Sequence, residues 1–109
     1  MRIWKFGLTL DGDVQTIYMP RGARLLTIQT QGGEPQLWAL CAEGVQTVPR
    51  TFATYGTGHP IPDRSADSYV GTYQSNDGAG VWHVFEVFGG QGVGLAELQP
   101  SWQSTLPQR

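Results

Sequence analysis

The chain holds a single cysteine among its 109 residues. No internal disulfide can form, so the fold rests on its own core and not on the staples of a small secreted domain. Charge is also scarce. Asp, Glu, Lys and Arg make up 15% of the residues, against about a quarter in an ordinary globular chain. The seven basic and nine acidic residues are scattered, with net charge −2 and a pI near 5.5. A protein that neutralises several duplex phosphates needs a basic stripe. None is present, and no duplex nucleic-acid partner is expected; nine acids are equally too few for a DNA mimic. No apolar run reaches the roughly 18 residues of a membrane-spanning helix. Met1-Arg2-Ile3-Trp4-Lys5-Phe6 offers neither an apolar signal core nor a small-residue cleavage site. These absences read as a soluble, cytoplasmic protein that makes no membrane contact. No apolar stripe at i, i+3, i+4, i+7 spacing marks an amphipathic helix.

What the chain has instead is turns, aromatics and alternation. It contains 15 glycines and 7 prolines, and aromatics make up 11%. Trp4, Phe6, Leu8 and Leu10 alternate with Lys5, Gly7 and Thr9, the period of a half-buried strand. Strands are predicted over Val14–Met19, Arg24–Thr30, Gln36–Ala42, Val45–Tyr55, Tyr69–Gln74 and Val81–Phe88, each bounded by Gly, Pro, Asn or Asp. Leu26 and Ile28 are expected on one face of the third strand, with Leu25 and Thr27 on the other. Gln31-Gly32-Gly33-Glu34-Pro35 reads as a hairpin turn, and Pro49 suggests an edge position or a strand start. Val81–Phe88 is apolar on both faces, as in a strand central to its sheet or at an interface. The predicted fold is all-β: a single small sandwich or barrel-like domain of about seven short strands over residues 1–88. Residues 89–109 read as a Gly-rich C-terminal linker and tail, or as an oligomerisation arm docking through Leu95, Leu98 and Trp102.

The most unusual segment is Gly56-Thr57-Gly58-His59-Pro60-Ile61-Pro62. Its glycines allow close backbone approach to a ligand, and successive N–H groups can form an anion-binding nest. Pro60 holds His59 extended, so its side chain is expected to project from the loop. Gly56, Thr57, Gly58 and His59, with an arginine from Arg50 or Arg24, would then make a pocket for a phosphate, a carboxylate or a partner carbonyl. The bland alternative is a stiff loop between two sheets. Trp82 and His83 form the second candidate. A lone histidine on an apolar face is commonly a satisfied core residue, but His83 could converge with His59. Walker, C-x-x-C, H-x-x-x-H, H-E-x-x-H and G-x-S-x-G patterns are all absent. No metal, cofactor or catalytic residue is assigned. Cys41 lies in an apolar strand and reads as a small buried hydrophobe. Trp4, Trp38 and Trp82 read as core, with stacking or interface roles as the alternative.

Ile3-Trp4-Lys5-Phe6, Met19-Pro20-Arg21-Gly22-Ala23, Leu37-Trp38-Ala39-Leu40, the Gly56–Pro62 segment, Tyr69-Val70-Gly71-Thr72 and Val81-Trp82-His83-Val84-Phe85-Glu86 share an order with a known family. Over residues 3–88 the chain resembles a group of small uncharacterised bacteriophage and prophage proteins that share a domain of unknown function. The resemblance implies a phage setting and carries no catalytic residue across. The expected function is a non-enzymatic accessory protein of the host cytoplasm. It would inhibit a host defence protein or sequester a small anionic, nucleotide-like signal, and it would form a homodimer or higher homo-oligomer. A small hydrolase-like enzyme using His59 or His83, and a virion structural or carbohydrate-binding β module, are the alternatives.

Overall fold

The computed structural model describes residues 1–9, 14–63, 68–75 and 78–88. The expectations placed on 89–109 and on Leu10 lie outside the described residues. Seven strands form in chain order: β1 (Arg2–Gly7), β2 (Val14–Pro20), β3 (Arg24–Gln31), β4 (Glu34–Cys41), β5 (Thr47–Gly56), β6 (Tyr69–Ser75) and β7 (Gly80–Val87). They make a three-stranded sheet in the order β1-β4-β3 and a four-stranded sheet in the order β2-β5-β7-β6, with every ladder antiparallel. The β3–β4 hairpin turns through Gly32 and Gly33, at φ 61° and 84°. Two successive positive φ values are what a two-residue hairpin turn of matching twist requires.

The core draws on both sheets, which makes the architecture a sandwich. Ile28, Leu37, Ala39 and Cys41 come from the first sheet and Met19, Phe52, Tyr73 and Val84 from the second. Burial follows the period of two along β4, where Leu37, Ala39 and Cys41 are buried and Trp38 and Leu40 are not. In β3 the alternation slips. A bulge between Leu25 and Thr27 lets Leu25 and Ile28 both reach the core and turns Leu26 to solvent. The expected pairing of Leu26 with Ile28 is corrected by that extra residue. The expected core role of the tryptophans is also revised. Trp4 is 53% exposed, Trp38 lies outside under the Lys5 ammonium, and only Trp82 packs against the core.

β5 lies between β2 and β7, yet Pro49 fits. The β7 ladder reaches only to Thr51, whereas the β2 ladder runs on to Thr47. At Pro49 the strand is therefore paired on one side only, and the missing N–H costs no ladder bond. One flank of the sandwich is sealed where β3 meets β6. There the Thr30 hydroxyl donates to the Gln74 carbonyl at 2.6 Å. Gly71 lies so close to Ile28 that a Cβ would sit 2.8 Å from its Cγ2. On the other flank β1 and β2 share no ladder. Among the described residues, no helix is long and apolar enough to cross a membrane.

Candidate interaction surface

The register of the four-stranded sheet sorts its side chains. Phe52, Thr54 and Gly56 of β5 lie opposite Glu86, Val84 and Trp82 of β7, and this set faces the other sheet. Alternation then sends Thr51, Ala53 and Tyr55, with Val81, His83, Phe85 and Val87, to the outer face. Val14, Thr16 and Tyr18 of β2 and Tyr69, Thr72 and Gln74 of β6 extend that face at either side. None of these residues carries a formal charge. The four strands contain one arginine and one acid, Arg50 and Glu86, and both point inward. The three-stranded sheet differs, for its outer face carries Lys5 and Arg24.

The centre of the uncharged face is ordered. The Tyr55 and Tyr69 rings pack against Phe85 at centroid distances of 5.8 and 5.2 Å. Although Phe85 points outward, this packing leaves it only 8% exposed. His83 sits beside this group with both ring nitrogens engaged. Its Nε2 lies 2.7 Å from the Thr57 hydroxyl and its Nδ1 lies 3.0 Å from the Thr72 hydroxyl, which in turn bonds to the Tyr69 hydroxyl. A neutral imidazole has one donor and one acceptor, and hydroxyls can complement both. His83 is thus a satisfied residue, as expected for a lone histidine, but on the outer face and not in the core.

The Gly56–His59 segment is a tight turn. The His59 N–H donates to the Gly56 carbonyl at 3.1 Å, and Gly58 has φ 87°, the geometry that favours glycine at the third position of a type II turn. Thr57 ties the turn to β7 through a bond from its N–H to the Val81 carbonyl. His59 is exposed, as expected from its place before Pro60, but its ring does not point straight out from the loop. It folds back so that a Cβ on Gly56 would lie 2.9 Å from its Cε1 and 3.3 Å from the Trp82 ring. A Cβ there would require the exposed His59 ring to shift. Trp82 donates from Nε1 to the Ser75 hydroxyl at 2.9 Å. Since Gly56 and Trp82 are paired on the inner side, His59 and His83 lie on opposite sides of the sheet and do not converge.

Arg50 is likewise separated from the turn. Six residue steps along one strand separate it from Gly56, about 20 Å at roughly 3.3 Å per step. Its Nε and Nη2 donate to the two Glu86 carboxylate oxygens at 2.7 and 2.8 Å, and its Nη1 donates to the Ala23 carbonyl at 2.5 Å. The bond to Glu86 raises the arginine pKa, opposed by desolvation. The pair lines an open cleft of about 600 Å³ with Arg21, Gly22 and Phe88. Arg24 lies on the outer face of the other sheet and joins neither group. The structure therefore gathers Gly56, Thr57, Gly58, His59 and Trp82 at one end of the sandwich, joins His83 to them from the outer face through Thr57, and leaves Arg50 at the far end.

Sequence reasoning did not single out Tyr18, Thr51, Tyr55, Tyr69 and Thr72 as members of one surface. A signal was present in the near absence of charge from four of the seven strands. Among the described residues, no group of three or more His, Cys, Asp or Glu could hold a metal ion. No curated protein and no solved structure matches the chain. A family model does match, over residues 1–92 and hence over every described strand, and the chain belongs to that family, the domain of unknown function DUF7352.

Proposed function

We propose that this chain is a non-enzymatic binding protein of the phage or prophage accessory kind, acting in the host cytoplasm. It would inhibit a host protein by covering part of that protein's surface. The observation that carries the reading is the uncharged outer face of the four-stranded sheet. Surface residues of soluble proteins are commonly charged, and the buried centre of a protein interface is depleted of charge and enriched in tyrosine. A face holding Tyr18, Tyr55 and Tyr69 around a constrained His83 has that composition. The phage setting rests on the motif resemblance. Sequestration of a nucleotide-like anion is less well supported, because Arg50 is already bonded to Glu86 and that carboxylate would repel a phosphate in the same cleft.

Affinity capture from host extract tests the reading, with the wild-type chain, Tyr69→Arg, Gln74→Glu and Lys5→Glu as baits. A specific host protein should be retained by the wild type and by Lys5→Glu, whose side chain lies on the other sheet. Its retention should fall at least tenfold with either change on the uncharged face. Equal capture by all four baits would refute the assignment. So would a small-molecule adduct in native mass spectra with no captured protein.

The 2.7 Å contact between Thr57 and His83 favours one second reading, a hydrolase in which His83 accepts the Thr57 proton. Turnover of an activated ester by the wild type, lost in both Thr57→Val and His83→Ala, would support it.

A further inference from the structure

Four strands lie at sheet edges: β1 and β3 in one sheet, β2 and β6 in the other. A free edge exposes a row of unpaired N–H and C=O groups. Proteins protect such edges with charge, bulges, prolines or a covering segment. Three of these edges are protected. β1 carries Arg2 and Lys5. β3 and β6 each contain a bulge and lie against one another, joined by the bond from Thr30 to the Gln74 carbonyl. β2, with the sequence VQTIYMP, has no charge, bulge or internal proline. Among the described residues its outer edge carries no ladder, and the Thr9 backbone bonds to the Gln15 side chain at 2.8 and 3.3 Å. The ladder of β2 to β5 runs from Val14 to Pro20 without a shift. The strand's one proline is its last residue. Val14 and Tyr18 are each 65% exposed.

We propose that the outer edge of β2 is a strand-addition site and that its occupant is β2 of a second copy of this chain. Paired antiparallel about a two-fold axis, the strand meets itself, so the contact closes at a dimer. Charge favours the same choice. An uncharged strand opposes no like charge when it meets its copy, whereas β1 would set Arg2 and Lys5 against a second pair of cations. β7, apolar on both faces, is hydrogen-bonded to β5 and β6 and has no edge to offer. An axis at Thr16 sets that residue opposite the partner's Thr16 and sets Val14 opposite the partner's Tyr18. Threonine pairs and aromatic–β-branched pairs are favourable cross-strand neighbours. The two exposed apolar side chains then cover one another, and Pro20 falls outside the paired stretch. This inference concerns the strand edge and does not depend on the binding of a host protein to the sheet face.

Sedimentation of the intact chain between about 10 and 500 μM tests it, at the concentrations where a contact of this small size is expected to form. The expected result is a species of twice 11.9 kDa. Thr16→Lys should raise its dissociation constant at least tenfold, because two ammonium groups then meet at the axis. Thr16→Cys provides an independent reading. In this variant the only exposed thiol lies at the axis, since Cys41 is buried, and mild oxidation should link two chains. Facing strand residues are within the Cα separation that a disulfide spans. A monomer at the highest concentration overturns the proposal. So does a dimer that neither dissociates with Thr16→Lys nor cross-links with Thr16→Cys. If Thr16→Lys fails to fold, cross-linking of Thr16→Cys alone decides between the outcomes.

Discussion

Replacing Glu86 with leucine should destabilise the fold far more than removing any surface charge. The side chains of Arg50 and Glu86 are 19% and 8% exposed and share two short bonds. Breaking a buried pair by deleting one partner costs about 3–5 kcal/mol, because the other charge is left without compensation. Arg50 keeps the Ala23 carbonyl and borders an open cleft that admits water, so the low end, about 3 kcal/mol, is expected. Arg50→Met should cost a similar amount by stranding the carboxylate. The double variant Arg50→Met/Glu86→Leu replaces both charges with apolar groups and should lie within about 1 kcal/mol of the wild type. Urea unfolding followed by tryptophan fluorescence reads all three. With a slope of about 1 kcal/mol per molar urea, the single variants should lower the midpoint by about 3 M. Glu43→Gln is the control. Its ion pair with Arg2 is 53% and 67% exposed and should contribute less than about 1 kcal/mol. Glu86 raises the Arg50 pKa. A raised pKa stabilises fully below the unfolded value and is lost only as pH rises through the folded one. The arginine contribution should therefore stay constant throughout the neutral range. A double variant that costs the sum of its singles would refute this account of the pair.

Two further substitutions probe the core. The Tyr73 hydroxyl is buried without a hydrogen-bond partner among the described residues, and burial pushes its pKa up. Tyr73→Phe should gain about 1 kcal/mol at neutral pH. Because the fold favours the neutral phenol, wild-type stability should fall as pH rises above about 10. That fall should be shallower in Tyr73→Phe, and identical alkaline profiles would count against the assignment. Gly71→Ala sets a methyl group 2.8 Å from Ile28 Cγ2, against a stiff β-branched side chain that is 2% exposed. The overpacking should cost about 1–3 kcal/mol, read as a drop of at least about 4 °C in Tm; an unchanged Tm would show that β3 and β6 separate freely.

The strands themselves were legible in the chain, because alternation and turn chemistry are local. Leu37, Ala39 and Cys41 already lie on one side of a period of two, and Gly32-Gly33 already calls for a hairpin. The bulge in β3 was not legible, since an inserted residue leaves the composition of the strand unchanged while taking Leu26 off the face of Ile28 and turning it to solvent. Alternation also shows that β7 has two apolar faces without showing which of them meets the other sheet. The position of His83 within its strand is therefore legible, but its neighbours Thr57 and Thr72 come from a turn and from another strand. The pairing of Arg50 with Glu86, 36 residues apart, depends on which strands become neighbours. The same is true of the uncharged outer face, which appears only when β2, β5, β7 and β6 are laid side by side. Local pattern determined where strands begin, end and turn. Strand order, register and the choice of covered face were decided by contacts between distant segments, because burial is a property of the assembled sandwich and of no single stretch of chain.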